Sequence, residues 1–104
     1  MKPGAVEITR FKLRGYSLKE FIDSNKTDID KWLKSQEGFQ SRCIIETEDG
    51  TVMDIVFWDK PDHGTAAMHR IMSATADSQV HSMIDQGTVS WNIYAVGHYV
   101  ERSK

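Results

Sequence analysis

Between residues 39 and 58 the chain carries two runs rich in β-branched and aromatic residues, 39–47 and 51–58, separated only by Glu48-Asp49-Gly50. Such a pair reads as a β-hairpin. A three-residue loop with Gly50 in the left-handed region sorts the side chains by face. Phe39, Cys43, Ile45, Met53, Ile55 and Phe57 fall on one side, and Arg42, Ile44, Glu46, Val52, Asp54, Val56 and Trp58 on the other. A two-residue loop would instead place Arg42 with Phe57 and scatter charge over both faces, so the longer loop is expected. Everything else in the chain must fold around this hairpin.

Ser17 precedes Glu20 by three positions, a capping box, with Tyr16 and Phe21 placed for a hydrophobic staple. Leu18, Phe21, Ile22, Ile29, Trp32 and Leu33 then recur at helical spacing, interrupted by Asn25, and Gly38 offers a left-handed stop. After the hairpin, Asp59 can cap a second helix with Pro61 in its first turn. Ala67, Met68, Ile71, Ala74 and Thr75 form its apolar strip. A break near Ala76-Asp77 leaves a shorter piece with Val80, Met83 and Ile84, so this helix is bent or split. Residues 5–14 and 88–100 read as the first and the last strand. The order βαββαβ implies a single α+β domain over residues 1–104, a ferredoxin-like four-stranded antiparallel sheet with two helices on one face. The other face would present Ile8, Ile44, Val52, Val56, Trp58, Tyr94 and Val96, a patch too large to leave wet. A two-fold homodimer is the expected cover, and a charge placed at Val56 is expected to dissociate it.

Composition narrows the partners. The formal charge is −2 with no dense Lys/Arg block, which argues against nucleic acid. No apolar run approaches the ~18 residues of a membrane span, and the polar start lacks a signal-peptide core, so a cytoplasmic location without membrane attachment is expected. The one cysteine, Cys43, offers neither an intrachain disulfide nor a thiolate cluster and reads as apolar filler. His63, His69 and His81 lie six and twelve apart, unlike the i, i+4 pair of a helical metal site, so no metal is expected. No phosphate loop or nucleophile elbow is present.

Several residues remain as candidates for chemistry. Arg42 and Asp54 fall diagonally on one sheet face, either as a structural ion pair or with Arg42 orienting an anionic substrate. His69 borders the Met68/Met72 strip, where burial would suit a general base. Trp58 and Trp91 can wall a pocket for a planar molecule, Asn25 needs a partner on its buried stripe, and Asn92, Tyr94 and His98 share one strand parity.

Gly38-Phe39, Arg42, the Glu48-Asp49-Gly50 turn, Asp54, Trp58 and Ala66-Ala67 together resemble the dimeric α/β-barrel superfamily, in particular its antibiotic biosynthesis monooxygenase-like family. The resemblance spans the first strand to the last and implies a homodimer that needs no cofactor. It implies an oxygenase in which a base deprotonates a small aromatic or polyketide-like substrate and the carbanion reduces dioxygen. In that reading His69 is the catalytic base, Trp58 and Trp91 are the walls, Asn92 or Tyr94 orients the oxyanion, and Asn25 and Arg42 complete the substrate site. Haem-degrading relatives place a tryptophan and a histidine on helix two, whereas here that helix has histidines and no tryptophan, which speaks against haem. The alternative is a non-catalytic homodimer that binds a small ligand or serves as a stress-related accessory protein. The discriminating feature is whether His69 points into a cavity.

Overall fold

A computed structural model describes residues 1–102. The chain runs β1 (Ala5–Leu13), α1 (Leu18–Asp28), α2 (Asp30–Lys34), β2 (Phe39–Glu46), β3 (Val52–Trp58), α3 (Pro61–Ala74), α4 (Val80–Met83) and β4 (Ile84–Ala95). The four strands form one antiparallel sheet in the order β2-β3-β1-β4, the ferredoxin-like arrangement.

Local signals act as read. Ser17 Oγ accepts from the Glu20 N–H at 3.1 Å while Glu20 accepts from the Ser17 N–H at 2.9 Å, closing the capping box at the start of α1. The hairpin loop is the three-residue form. Thr47 N–H donates to Thr51 O at 2.8 Å, Gly50 N–H to Thr47 O at 3.0 Å, and Gly50 adopts φ 83°. Cys43 therefore stands opposite Ile55 and Arg42 opposite Val56. Phe39 departs from its expected side. The register shifts between Phe39 and Ser41, so Phe39 faces Trp58 across the strands, with the two rings edge-on at 5.9 Å beneath the helices.

For the hairpin the covered face is the reverse of the one expected, while Ile8 and Tyr94 do lie on the bare side as expected. Ala5, Val52, Val56 and Trp58 are buried under α1 to α4, and Ile44 packs against that core. The side left bare by the helices carries Val6, Ile8, Cys43, Ile45, Met53, Ile55, Phe57 and Tyr94. Periodicity divides the residues into two sets but does not say which set the helices cover. The covered set also contains Glu7, Arg42 and Asp54, and these charges make it look like the wetter side.

Two boundaries also move. β4 begins at Ile84, ahead of Gly87, and ends at Ala95. Extra residues bulge out between the pairs Arg10↔Ser90 and Lys12↔Asp85, and the Lys12 N–H there donates to Thr88 Oγ1 at 2.8 Å. The glycine thus lies in a bulge and not in front of the strand. Pro61 occupies the first turn of α3, but Asp59 does not cap it. Its carboxylate instead meets His63 Nδ1 at 2.7 Å. The second helical segment is split, with Thr75 ending α3.

Candidate functional site

Between the covered sheet face and the helices lies a cavity of about 250 Å³. Its wall is mostly apolar, built from Phe11, Phe21, Trp32, Ile71, Val80 and Ile84 among others. Met72 and Val89 line it and are exposed, marking its solvent end. Besides Thr9 and Gln86, polar groups enter at three places.

The first is Glu7, on the inward parity of β1. It stands opposite Val56 on β3 and Ile93 on β4, so Trp58 and Trp91 are its diagonal neighbours on the two flanking strands. Each indole reaches one carboxylate oxygen. Trp58 Nε1 donates to Oε1 at 2.8 Å, and Trp91 Nε1 to Oε2 at 2.5 Å. Glu7 is only 9% exposed, and burial pushes its carboxyl above the ordinary value even though both indole bonds favour the charged form.

The second is Arg42. Its Nε and Nη2 bond Asp54 at 2.9 and 2.6 Å, its Nη1 bonds Asp30 at 2.8 Å, and Nη2 also bonds Asn25 Oδ1 at 2.8 Å. Asn25 passes the chain on by donating to Phe21 O at 2.8 Å within α1. Burial works against the Arg42 charge, but the bonds and fields of Asp54 and Asp30 outweigh it and hold the guanidinium above its usual range. The amide that interrupts the α1 stripe is thus satisfied by an arginine from the sheet.

The third is His81 on α4. Its Nε2 lies 2.8 Å from Thr75 Oγ1, and that hydroxyl also bonds Ile71 O at 2.5 Å. A hydroxyl has one proton to give. With that proton directed at Ile71, His81 Nε2 is the donor to Thr75 Oγ1.

Of the residues expected at a site, Trp58, Trp91, Asn25 and Arg42 line this cavity together. His69 does not. It lies exposed on α3, away from the wall to which Met68 and Met72 contribute, and so lacks the access a base requires. Asn92 pairs with Ile8 and Tyr94 with Val6, which places both on the opposite sheet face, where they cannot orient a substrate held under the helices. His98 lies beyond β4 and is exposed. Arg42 is not poised for an anionic substrate, since the protein's own carboxylates already occupy it. Glu7, Asp30 and His81 carry parts of the site that periodicity does not reveal. For Glu7 a signal exists: it is the one acidic residue on a strand parity otherwise holding Ala5, Thr9 and Phe11.

Gly64 sets how closely α3 approaches this wall. A Cβ there would lie 2.5 Å from Ile93 Cδ1 and 2.8 and 2.9 Å from Trp58 Cδ1 and Nε1. Gly64→Ala is expected to displace the Trp58 indole from Glu7 and destabilise the fold by about 1–3 kcal/mol. Chemical denaturation together with tryptophan fluorescence reads both effects. An unshifted midpoint would show that α3 can move away freely.

The fold and the site define a ferredoxin-like domain with an aromatic-walled cavity under its helices. The chain is similar in structure to a monooxygenase from the gene ActVA-Orf6 of Streptomyces coelicolor in complex with nanaomycin D. The TM-score is 0.73 at 16% identity, over 97% of this chain and 94% of that one. It is also similar to a variant of SnoaB, a cofactor-independent oxygenase from Streptomyces nogalater, with TM-score 0.71 at 14% identity over 97% of this chain and 100% of the other. A dimeric ferredoxin-like protein from an uncultured marine organism superposes with TM-score 0.72 at 13% identity, over 98% and 95% of the two chains. At such identities the likeness is one of fold. No family model and no curated protein matches the sequence. Among the described residues no helix is long and apolar enough to cross a membrane.

Proposed function

We propose that the protein is a cofactor-independent monooxygenase acting on a small electron-rich aromatic molecule of anthrone or quinol type, with Glu7 as the base, and that it works as a two-fold homodimer. The observation that carries the reading is a buried carboxylate facing an apolar, aromatic-walled cavity while two indole N–H groups fix its orientation. The fold relatives described as a monooxygenase and a cofactor-independent oxygenase lend it support.

Glu7 takes a proton from the activated ring carbon, and the carbanion passes an electron to dioxygen. The resulting radical pair joins in a new carbon–oxygen bond. The proton held by Glu7 returns to the peroxide, and loss of water converts the CH₂ group to C=O. One oxygen atom of O₂ enters the product and the other leaves in water. Burial raises the carboxyl, which makes Glu7 a stronger base than an exposed glutamate while leaving it ionised once the pH exceeds its own raised value. Activity is therefore expected to fall as the medium is acidified through that value.

The bare sheet face, with Val6, Ile8, Met53, Ile55 and Phe57 at its centre, is where the second copy would dock face to face. The dimeric ferredoxin-like relative supports this arrangement.

Oxygen uptake on an anthrone or quinol tests the chemistry. Glu7→Gln is expected to lower turnover by about 10²–10⁴-fold, the usual contribution of a positioned base. Wild-type uptake no faster than the uncatalysed oxidation would favour a ligand-binding protein without catalysis. Unchanged turnover in Glu7→Gln would remove Glu7 from the mechanism.

A further inference from the structure

The cavity's charge bears on which aromatic molecules can enter. Four titratable side chains line it, Glu7 from β1, Arg42 from β2, Asp54 from β3 and His81 from α4, and Asp30 of α2 reaches Arg42 from behind. Arg42 is the one permanent cation among them, and it has two carboxylates of its own, with its side chain 8% exposed. Among the described residues Glu7 is thus left without a cationic partner in hydrogen-bonding contact, its two oxygens held by neutral indoles. His81 Nε2 is already committed to Thr75. An incoming anion would meet Glu7 and Asp54 with no unengaged positive charge to answer it.

We infer that Glu7 determines the ligand's charge class: the cavity takes neutral, hydroxyl-bearing aromatic molecules of two or three fused rings and rejects aromatic anions of the same shape. The inference rests on the proposed use of this cavity as an aromatic site, but not on any oxygen chemistry there. A carboxylate offers about four lone-pair positions, and the indoles occupy two, so acceptor capacity remains for a phenolic O–H. Size follows from volume. A dry apolar cavity of about 150 Å³ holds benzene, and 250 Å³ leaves room for a second ring or a third but not for a larger polycycle. Like charges brought together in a desolvated pocket are strongly unfavourable, whereas a neutral hydroxyl gains a charge-assisted hydrogen bond to Glu7.

The test is equilibrium binding of 2-naphthol and 2-naphthoate at pH 8, followed by tryptophan fluorescence and calorimetry. Wild-type protein is expected to bind the naphthol at least about tenfold more tightly than the naphthoate. In Glu7→Gln that preference is expected to shrink or reverse. Equal or tighter binding of naphthoate by the wild type overturns the inference, and so does binding of neither probe. A preference for naphthol that survives unchanged in Glu7→Gln also overturns it. If Glu7→Gln fails to fold, 2-naphthalenesulfonate, which stays anionic, is titrated into His81→Asn, which takes the cavity's imidazole out of the comparison, from pH 8 downward through the raised Glu7 value. Affinity that rises as Glu7 takes up its proton supports the assignment, and a flat profile overturns it. Selective binding without oxygen uptake would defeat the oxygenase reading and leave this one standing. Oxygen uptake with indifferent binding would do the reverse.

Discussion

Arg42→Ala is expected to destabilise the protein by about 3–5 kcal/mol, the effect of removing one partner from a buried ion pair. Three groups lose their donor at once: both oxygens of Asp54, one of Asp30, and the Asn25 amide oxygen. Asp54 suffers most, because it is 18% exposed and shares the sheet face with Glu7, so the variant confronts two carboxylates with no cation between them. A domain of this length holds only about 5–15 kcal/mol in total, so the variant should stand close to unfolding at neutral pH. Removing both charges in Arg42→Met/Asp54→Leu is expected to restore most of the loss, since apolar replacements do not leave a desolvated charge behind. Urea unfolding of the three proteins decides the matter. A loss under about 1 kcal/mol for Arg42→Ala would mean that the network is as well hydrated as a surface pair.

That network also shows where sequence reasoning reached its limit. The capping box at Ser17 and Glu20, the three-residue turn ending in Gly50 and the diagonal meeting of Arg42 with Asp54 are all legible, because each depends on residues a few positions apart or on strand parity. The element order follows from the same local signals, and the ferredoxin-like sheet follows from the order. What parity cannot supply is the identity of the covered face. Val52, Val56 and Trp58 share their side with Arg42, Asp54 and Glu7, and a rule that sends charge outward assigns that side to the open surface. Arg42 and Asp54 are inside because they join a network across α1, α2, β2 and β3, and Glu7 because two indoles hold it, pairings that are not local in the chain. His69 failed for a related reason. It sits next to Met68 in sequence, but one residue turns a helix by about a quarter of its circumference, enough to take it out of the wall that Met68 and Met72 line. His81, in a four-residue helix too short to show a period, is placed at the cavity by the turn after Thr75.

Exchanging the two faces turns one experiment into two with opposite outcomes. Val56 is 5% exposed and lies under the helices, so Val56→Asp inserts an unpaired carboxylate beside Glu7 in the core. The expected result is loss of more than about 3 kcal/mol or failure to fold, whatever the state of association. Ile55, its immediate neighbour, points the other way, opposite Ile8 on β1 and Cys43 on β2, at the middle of the bare face. In a face-to-face dimer Ile55→Asp brings a carboxylate from each copy into the same dry interface, where neither has a cation to meet. The expected result is a folded monomer: sedimentation at half the wild-type mass, with far-ultraviolet dichroism retained. The exposed positions around it fit a surface that needs covering, since Ile45 and Tyr94 are 44% and 52% exposed in the single chain. The contrast carries the argument because the two substitutions differ by one position and introduce the same group, so composition, charge and helix content are matched. A wild-type protein that sediments as a monomer, or an Ile55→Asp variant that stays dimeric, would show that some other surface joins the copies or that none does. A stable, well-folded Val56→Asp protein would instead challenge the sheet register itself, and with it the position of Glu7 between the two indoles.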